Sequence, residues 1–136
     1  MTGDEVTEPD VVTLRLPGDV AYASIARTAA MAIGLRAGFA WPALTSLALA
    51  VDETMVLLLG STDAGSDPDG TLDLGFMVGD GGLTMSVTVR GGHHHLDPDG
   101  PGMQRFGELI ADTVDDWSVD ASSATVRLSV GRPLTS

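Results

Sequence analysis

Apolar and polar residues alternate through VVTLRL, Val11 to Leu16, with the period of two that marks a half-buried strand. Pro17, Gly18 and Asp19 close this run, and Asp19 is placed to cap a helix. From Val20 to Ala37 the period lengthens: Ala21, Ile25, Ala29, Ala32, Ile33 and Leu35 recur at helical spacing, with Arg27 and Arg36 on the other side and Gly38 suited to a C-cap. After FAWP turns the chain, with Pro42 acceptable in a first helical turn, Ala43 to Leu59 is apolar nearly all round and predicts a central, buried helix. Ser61 to Gly70 is a loop of turn formers. Two strands, Thr71 to Val78 and Leu83 to Arg90, flank GDGG at Gly79 to Gly82, a strong hairpin signal. An irregular stretch from Gly91 to Gly102 precedes a helix predicted over Met103 to Trp117, on the spacing of Phe106, Leu109, Ile110, Thr113, Val114 and Trp117. A last strand is predicted over Ala124 to Val130.

The resulting order is β-α-α-β-β-α-β. Hairpin-linked strands with helices grouped between them predict an α+β two-layer sandwich, a mixed and mostly antiparallel sheet with helices packed on one face. The expected organisation is an acidic flexible tail over 1–10, one domain over 11–131 and a short tail over 132–136.

Composition narrows the function. Hydrophobic residues make up 43% of the 136-residue chain, too many for a disordered polypeptide, and aromatics only 4%, so the core is aliphatic. The absence of cysteine excludes a disulfide scaffold, thiolate metal sites and a cysteine nucleophile. A net charge of −12 argues against direct nucleic-acid binding and against an anionic membrane surface, since both present phosphates. The acidic N-terminus has neither the basic nor the apolar region of a secretory signal. Leu44 to Leu59 is interrupted by Asp52 and Glu53 and falls short of the roughly 20 residues that span a bilayer. The expected location is therefore cytoplasmic. His93, His94 and His95 read as a solvated loop rather than a metal site, because consecutive residues rarely converge on one ion, and no metal ligands are expected. Trp117 reads as a packing residue, and Trp41, placed in a turn, is the better interface candidate.

LALAVDETMVLLL, Leu47 to Leu59, resembles the second helix of anti-sigma regulatory factors, the serine-kinase branch of the histidine-kinase-like (GHKL) ATPases. VTLRLPGDVAYASIARTAAMAIGLRAGF is similar to that family's opening strand and first helix, and ELIADTVDDWSV followed by ATVRLSV to its last helix and strand. The similarity runs from about Val12 to Val130. It implies the histidine-kinase-like ATPase fold. In that family the second helix carries an acidic base and, four positions later, an asparagine that holds Mg²⁺. Here Glu53 stands for the base and Leu57 replaces the asparagine. The family's DxGxG box, which receives adenine, falls on GGHHH, with Gly91 at the aspartate position and His93 at the next glycine. Its phosphate-cradling GxG falls either on Gly100 and Gly102 or, by ungapped alignment of the last helix, on Gln104 and Phe106.

The resemblance thus implies a degenerate member. It would bind a sigma factor or an anti-anti-sigma protein through Val20 to Gly38, with a homodimer in keeping with the family, while ATP binding and kinase activity are lost or weak and no cofactor is held. The competing expectation is an active ATP- and Mg²⁺-dependent serine kinase acting on an anti-sigma antagonist. A third is a domain turned to another protein or small ligand.

Overall fold

Period-two alternation builds five strands, and they form one sheet in the order β1-β2-β3-β5-β4 with every neighbouring pair antiparallel. The computed structural model describes residues 10–59, 70–79, 82–91 and 96–131. Residues 1–9 and 132–136 of the two expected tails, nearly all of the loop over 61–70, the hairpin tip at 80–81 and the three histidines lie outside the described residues, while Asp10, expected in the first tail, opens a strand. The strands are β1 (Asp10–Pro17), β2 (Thr71–Gly79), β3 (Gly82–Arg90), β4 (Asp116–Asp120) and β5 (Thr125–Gly131). The helices are α1 (Ala23–Arg36), preceded by a 3-10 turn over Val20–Tyr22, α2 (Trp41–Leu59) and α3 (Pro101–Ile110). This is the expected α+β two-layer sandwich. The sheet differs from expectation in being wholly antiparallel and in having one strand more.

The extra strand is β4. The helix expected to reach Trp117 stops at Ile110, where the Thr113 hydroxyl and amide both donate to the Ile110 carbonyl at 2.9 Å and the chain turns. Trp117 then lies on β4 and meets Phe106 of α3 edge to face, ring centroids 5.5 Å apart at 84°. Phe106, Ile110 and Val114 are buried and Trp117 packs beside them, so four residues at helical spacing do share one core. They reach it from a helix, a turn and a strand.

Leu72, Leu74 and Phe76 of β2, Leu83, Met85, Val87 and Val89 of β3, and Val126 and Leu128 of β5 all point to the helical side. There they meet Leu44, Leu47, Val51, Met55, Leu58 and Leu59 of α2. Burying one such side chain fully contributes about 1.5–3 kcal/mol. By length and composition α2 also qualifies as a membrane-crossing helix, but here it is the middle helix of the layer, packed on α1 and α3. Thr54, buried in it, satisfies its hydroxyl on the Ala50 carbonyl at 2.7 Å.

The face of α1 that packs inward is only partly the expected one: Ala29 and Ile33 pack, half-buried, against the core. Ala26, Ala30 and Gly34 are buried, whereas Ile25 and Leu35 are exposed, as are Ala21 and Ala32. The cause is proximity of α2: a Cβ on Gly34 would sit 2.9 Å from Leu44 Cδ2 and 3.2 Å from Leu47 Cδ2. Only small side chains fit between the helices. The helix then ends in a Schellman motif, with Phe39 N–H on the Gly34 carbonyl and Gly38 N–H on the Leu35 carbonyl, both at 3.0 Å, and Gly38 at φ +94°.

These contacts predict that Gly34→Leu lowers the unfolding free energy by about 1–3 kcal/mol through overpacking. Gly38→Ala, which meets no neighbour, costs about 1–2 kcal/mol for its left-handed backbone alone. Urea titration followed by circular dichroism measures both.

Candidate functional site

On an α-helix, residues one turn apart share a face, and α2 presents Glu53 and Leu57 together toward α3. The Glu53 carboxylate is largely shielded, with 15% of its side chain exposed, and accepts a hydrogen bond from Arg105 Nη1 of α3 at 3.1 Å. Leu57 is half-buried and packs against the core. The preceding residue, Asp52, reaches the other way and pairs with Arg27 of α1 at 3.2 Å. Two adjacent acids on the central helix therefore tie it to both neighbours. Arg105 was not singled out by sequence reasoning, because 52 positions separate it from Glu53 and no local pattern joins them.

The glycines of the expected nucleotide site end up in separate settings. Gly91 closes β3 in the left-handed region, φ +71°, and is exposed. Gly100 is the N-cap residue of α3, Pro101 its first residue and Gly102 its second. This places Gly100 and Gly102 at the start of the helix, whereas Gln104 and Phe106 lie inside it with Phe106 in the core. Asp97 accepts the Asp99 amide at 3.0 Å, and its carbonyl accepts the Gly100 amide at 3.1 Å. A Cβ on Gly100 would come within 2.9 Å of Asp97 Oδ2, so the carboxylate already stands against the helix N-terminus, where a negative charge is favoured.

The donor set fits Mg²⁺–ATP poorly. Leu57 occupies the position that the resemblance assigns to the metal ligand, and Gly91 the one it assigns to the adenine-binding carboxylate. Pro101 removes one N–H from the first turn of α3, and the Asp97 carboxylate opposes a phosphate beside it. No step of phosphoryl transfer follows from this geometry. Among the described residues no three histidine, aspartate or glutamate side chains group as metal ligands would.

Four cavities formed by described residues lie away from Glu53, Leu57 and these glycines. Three of them, about 550, 340 and 450 Å³, adjoin one another on the sheet face that the helices leave uncovered, and all three touch Ser86. The largest holds an ion triad in which Arg15 Nε donates to Asp73 Oδ1 at 2.8 Å and Arg90 Nε donates to Oδ2. The Arg15 hydrogen bond, joined by that from Arg90 and opposed in part by desolvation, holds the Asp73 carboxyl below its ordinary value of 3.8. Ser122 and Ser123 do the same for Asp120 at the β4–β5 turn.

A lowered carboxyl pKa contributes stability that is complete above the ordinary value and is lost as the pH falls through the lowered one. Asp73→Asn is therefore expected to cost up to about 1 kcal/mol at neutral pH, both arginines being largely exposed. The difference from the parent protein should shrink in acid and disappear once the parent's Asp73 is protonated, as urea titrations at a series of pH values will read.

A scan of the chain against protein-family models finds no match, and a search among curated proteins finds none either.

Proposed function

We propose that the chain is a regulatory binding module of the anti-sigma kind, which recognises a sigma factor or an anti-anti-sigma protein in the cytoplasm and performs no phosphoryl transfer. The observation that carries this reading is the exposed apolar surface of the first helix and its corner. Leu35 is 64% exposed, Trp41, just across the corner, 70%, and Ile25, further up α1, 45%. These side chains sit on or beside Val20 to Gly38, the segment to which the resemblance assigns partner binding. Large apolar side chains held out on a rigid helix, with a tryptophan among them, are the usual anchors of a protein interface. The Glu53–Arg105 pair and Leu57 support the second half of the reading: the acid is committed to a neighbouring helix, and the position one turn on offers carbon in place of a metal ligand.

Two measurements test it. Calorimetry against the sigma factors and anti-anti-sigma proteins of the same organism is expected to find a partner at micromolar affinity or better. Leu35→Asp with Trp41→Asp should weaken that complex by at least about tenfold while leaving the fold intact. Titration with ATP and Mg²⁺ is expected to give no heat at about millimolar nucleotide, a level at which ligands with few productive contacts fail to register. Micromolar ATP binding together with phosphate transfer to an anti-anti-sigma protein would replace this reading with the kinase one. Absence of any partner among those proteins would remove the anti-sigma assignment.

A further inference from the structure

The uncovered face of the sheet has a feature that strand stability alone disfavours. Gly75 sits in the middle of β2, between β1 and β3, where a glycine forgoes side-chain packing and costs backbone entropy. Such a glycine marks a bulge, a bend, or a place where something approaches the backbone closely. The registers are unbroken on both sides: Gly75 faces Thr13 on β1 and Ser86 on β3, so no bulge accounts for it. What it leaves is a cavity of about 340 Å³, within the range of small-ligand clefts of roughly 300–1,000 Å³.

The walls of this cavity differ in chemistry from end to end. Val11 and Met77 face each other across β1 and β2 and form an apolar shelf, 62% and 49% exposed. Across the glycine floor stand the hydroxyls of Ser86 and Thr84, and beyond them the guanidinium of Arg127, which faces Ser86 on β3 and Ser118 on β4. Arg127 has no acidic partner among the described residues. The other two arginines of this face, Arg15 and Arg90, share Asp73; Asp116 and Asp120 of β4 stand diagonal to Arg127 without pairing with it, Asp120 Oδ1 accepting from Ser122 and Ser123. A guanidinium with no ion-pair partner among the described residues, beside the Ser86 hydroxyl and two to three strands from an apolar shelf, is suited to an oxyanion carried on an extended apolar body.

We infer that the Val11–Gly75–Arg127 trough is a binding site for a small amphipathic anion, its carboxylate or phosphate head at Arg127, Ser86 and Thr84 and its apolar body over Gly75 against Val11 and Met77. The site is on the opposite face of the sheet from the helices and does not depend on the proposed partner surface.

The test is a nuclear magnetic resonance titration of the full chain with octanoate and, separately, with octyl phosphate, using octanol as the uncharged control. Saturable shifts of the Thr84, Ser86 and Arg127 amides with either anion at about millimolar concentration, and not with octanol, are expected. Whichever anion binds more tightly identifies the head group. Arg127→Gln, a change at an exposed position, should weaken binding by at least about tenfold, the usual loss when a charged hydrogen-bond donor is removed. Gly75→Val fills the floor with a residue that strands favour, its Cβ meeting the Ser86 hydroxyl at 3.0 Å, and should abolish binding while the protein stays folded. Failure of both anions to bind, equal binding of octanol, undiminished binding by Arg127→Gln, or shifts confined to the α1–α2 corner would each overturn the assignment.

Discussion

The rest of the structure depends on how closely α2 is held, between the sheet beneath it and the helices on either side. A five-stranded antiparallel sheet buries only one face here, and three helices must cover it. α2 supplies the largest share of the aliphatic surface, and its position decides what its neighbours can be. On one flank it comes so near that α1 turns Ala26, Ala30 and Gly34 inward and leaves Ile25 and Leu35 in water. On the other flank α3 contributes Phe106 and Ile110, and Trp117 completes the contact from β4, close enough that a Cβ on Gly107 would meet its ring at 3.3 Å. Charge follows packing: once the helices lie side by side, Asp52 and Glu53 have an arginine within reach on each side.

That arrangement explains why Glu53 is a poor candidate for proton transfer. A general base must be free to meet its substrate, and its carboxylate must not already be spent on a permanent cation. Glu53 is shielded and held by Arg105, whereas Arg105 itself stays 60% exposed. The pair resembles a helix-to-helix tie more than a reactive site. The same position can carry chemistry or cohesion, and the surrounding residues decide which; Leu57, one turn on, adds apolar packing.

The strands of the central hairpin were legible in the sequence because their alternation has a single meaning: every second residue of β2 and β3 is buried. Two features were not. The run from Phe106 to Trp117 fits helical spacing and also contains the short alternation of Trp117 and Val119, and only the turn at Thr113 separates the two. In α1 the apolar pattern names Ile25 and Leu35, yet the interior selects the smallest residues, because steric room between helices outweighs hydrophobicity once α2 is in place. The site was legible only as far as local spacing reaches. Glu53 with Leu57, and Gly100 with Gly102, are neighbours along one helix or one turn, whereas Arg105 against Glu53 and the Arg15–Asp73–Arg90 triad arise from elements that only the folded chain brings together.

The strongly negative net charge makes the distribution of the few arginines informative. Of seven basic residues, Arg15, Arg90 and Arg127 share the open sheet face, and Arg27 and Arg105 are spent within the helical layer. In a chain whose average field repels anions, a cation with no ion-pair partner among the described residues on a half-polar trough is a local exception, and its effect is confined to within about 10 Å by ordinary salt. The helical corner at Leu35 and Trp41 presents a more apolar character, with Arg36 as its neighbouring charge. The two surfaces face away from each other across a close-packed core, so a ligand in the trough leaves the corner sterically free. Coupling between them would require a ligand to favour one packing of that core over another, and a core built on small-residue contact at Gly34 has little room for a second arrangement. Independent occupancy is the behaviour this architecture favours.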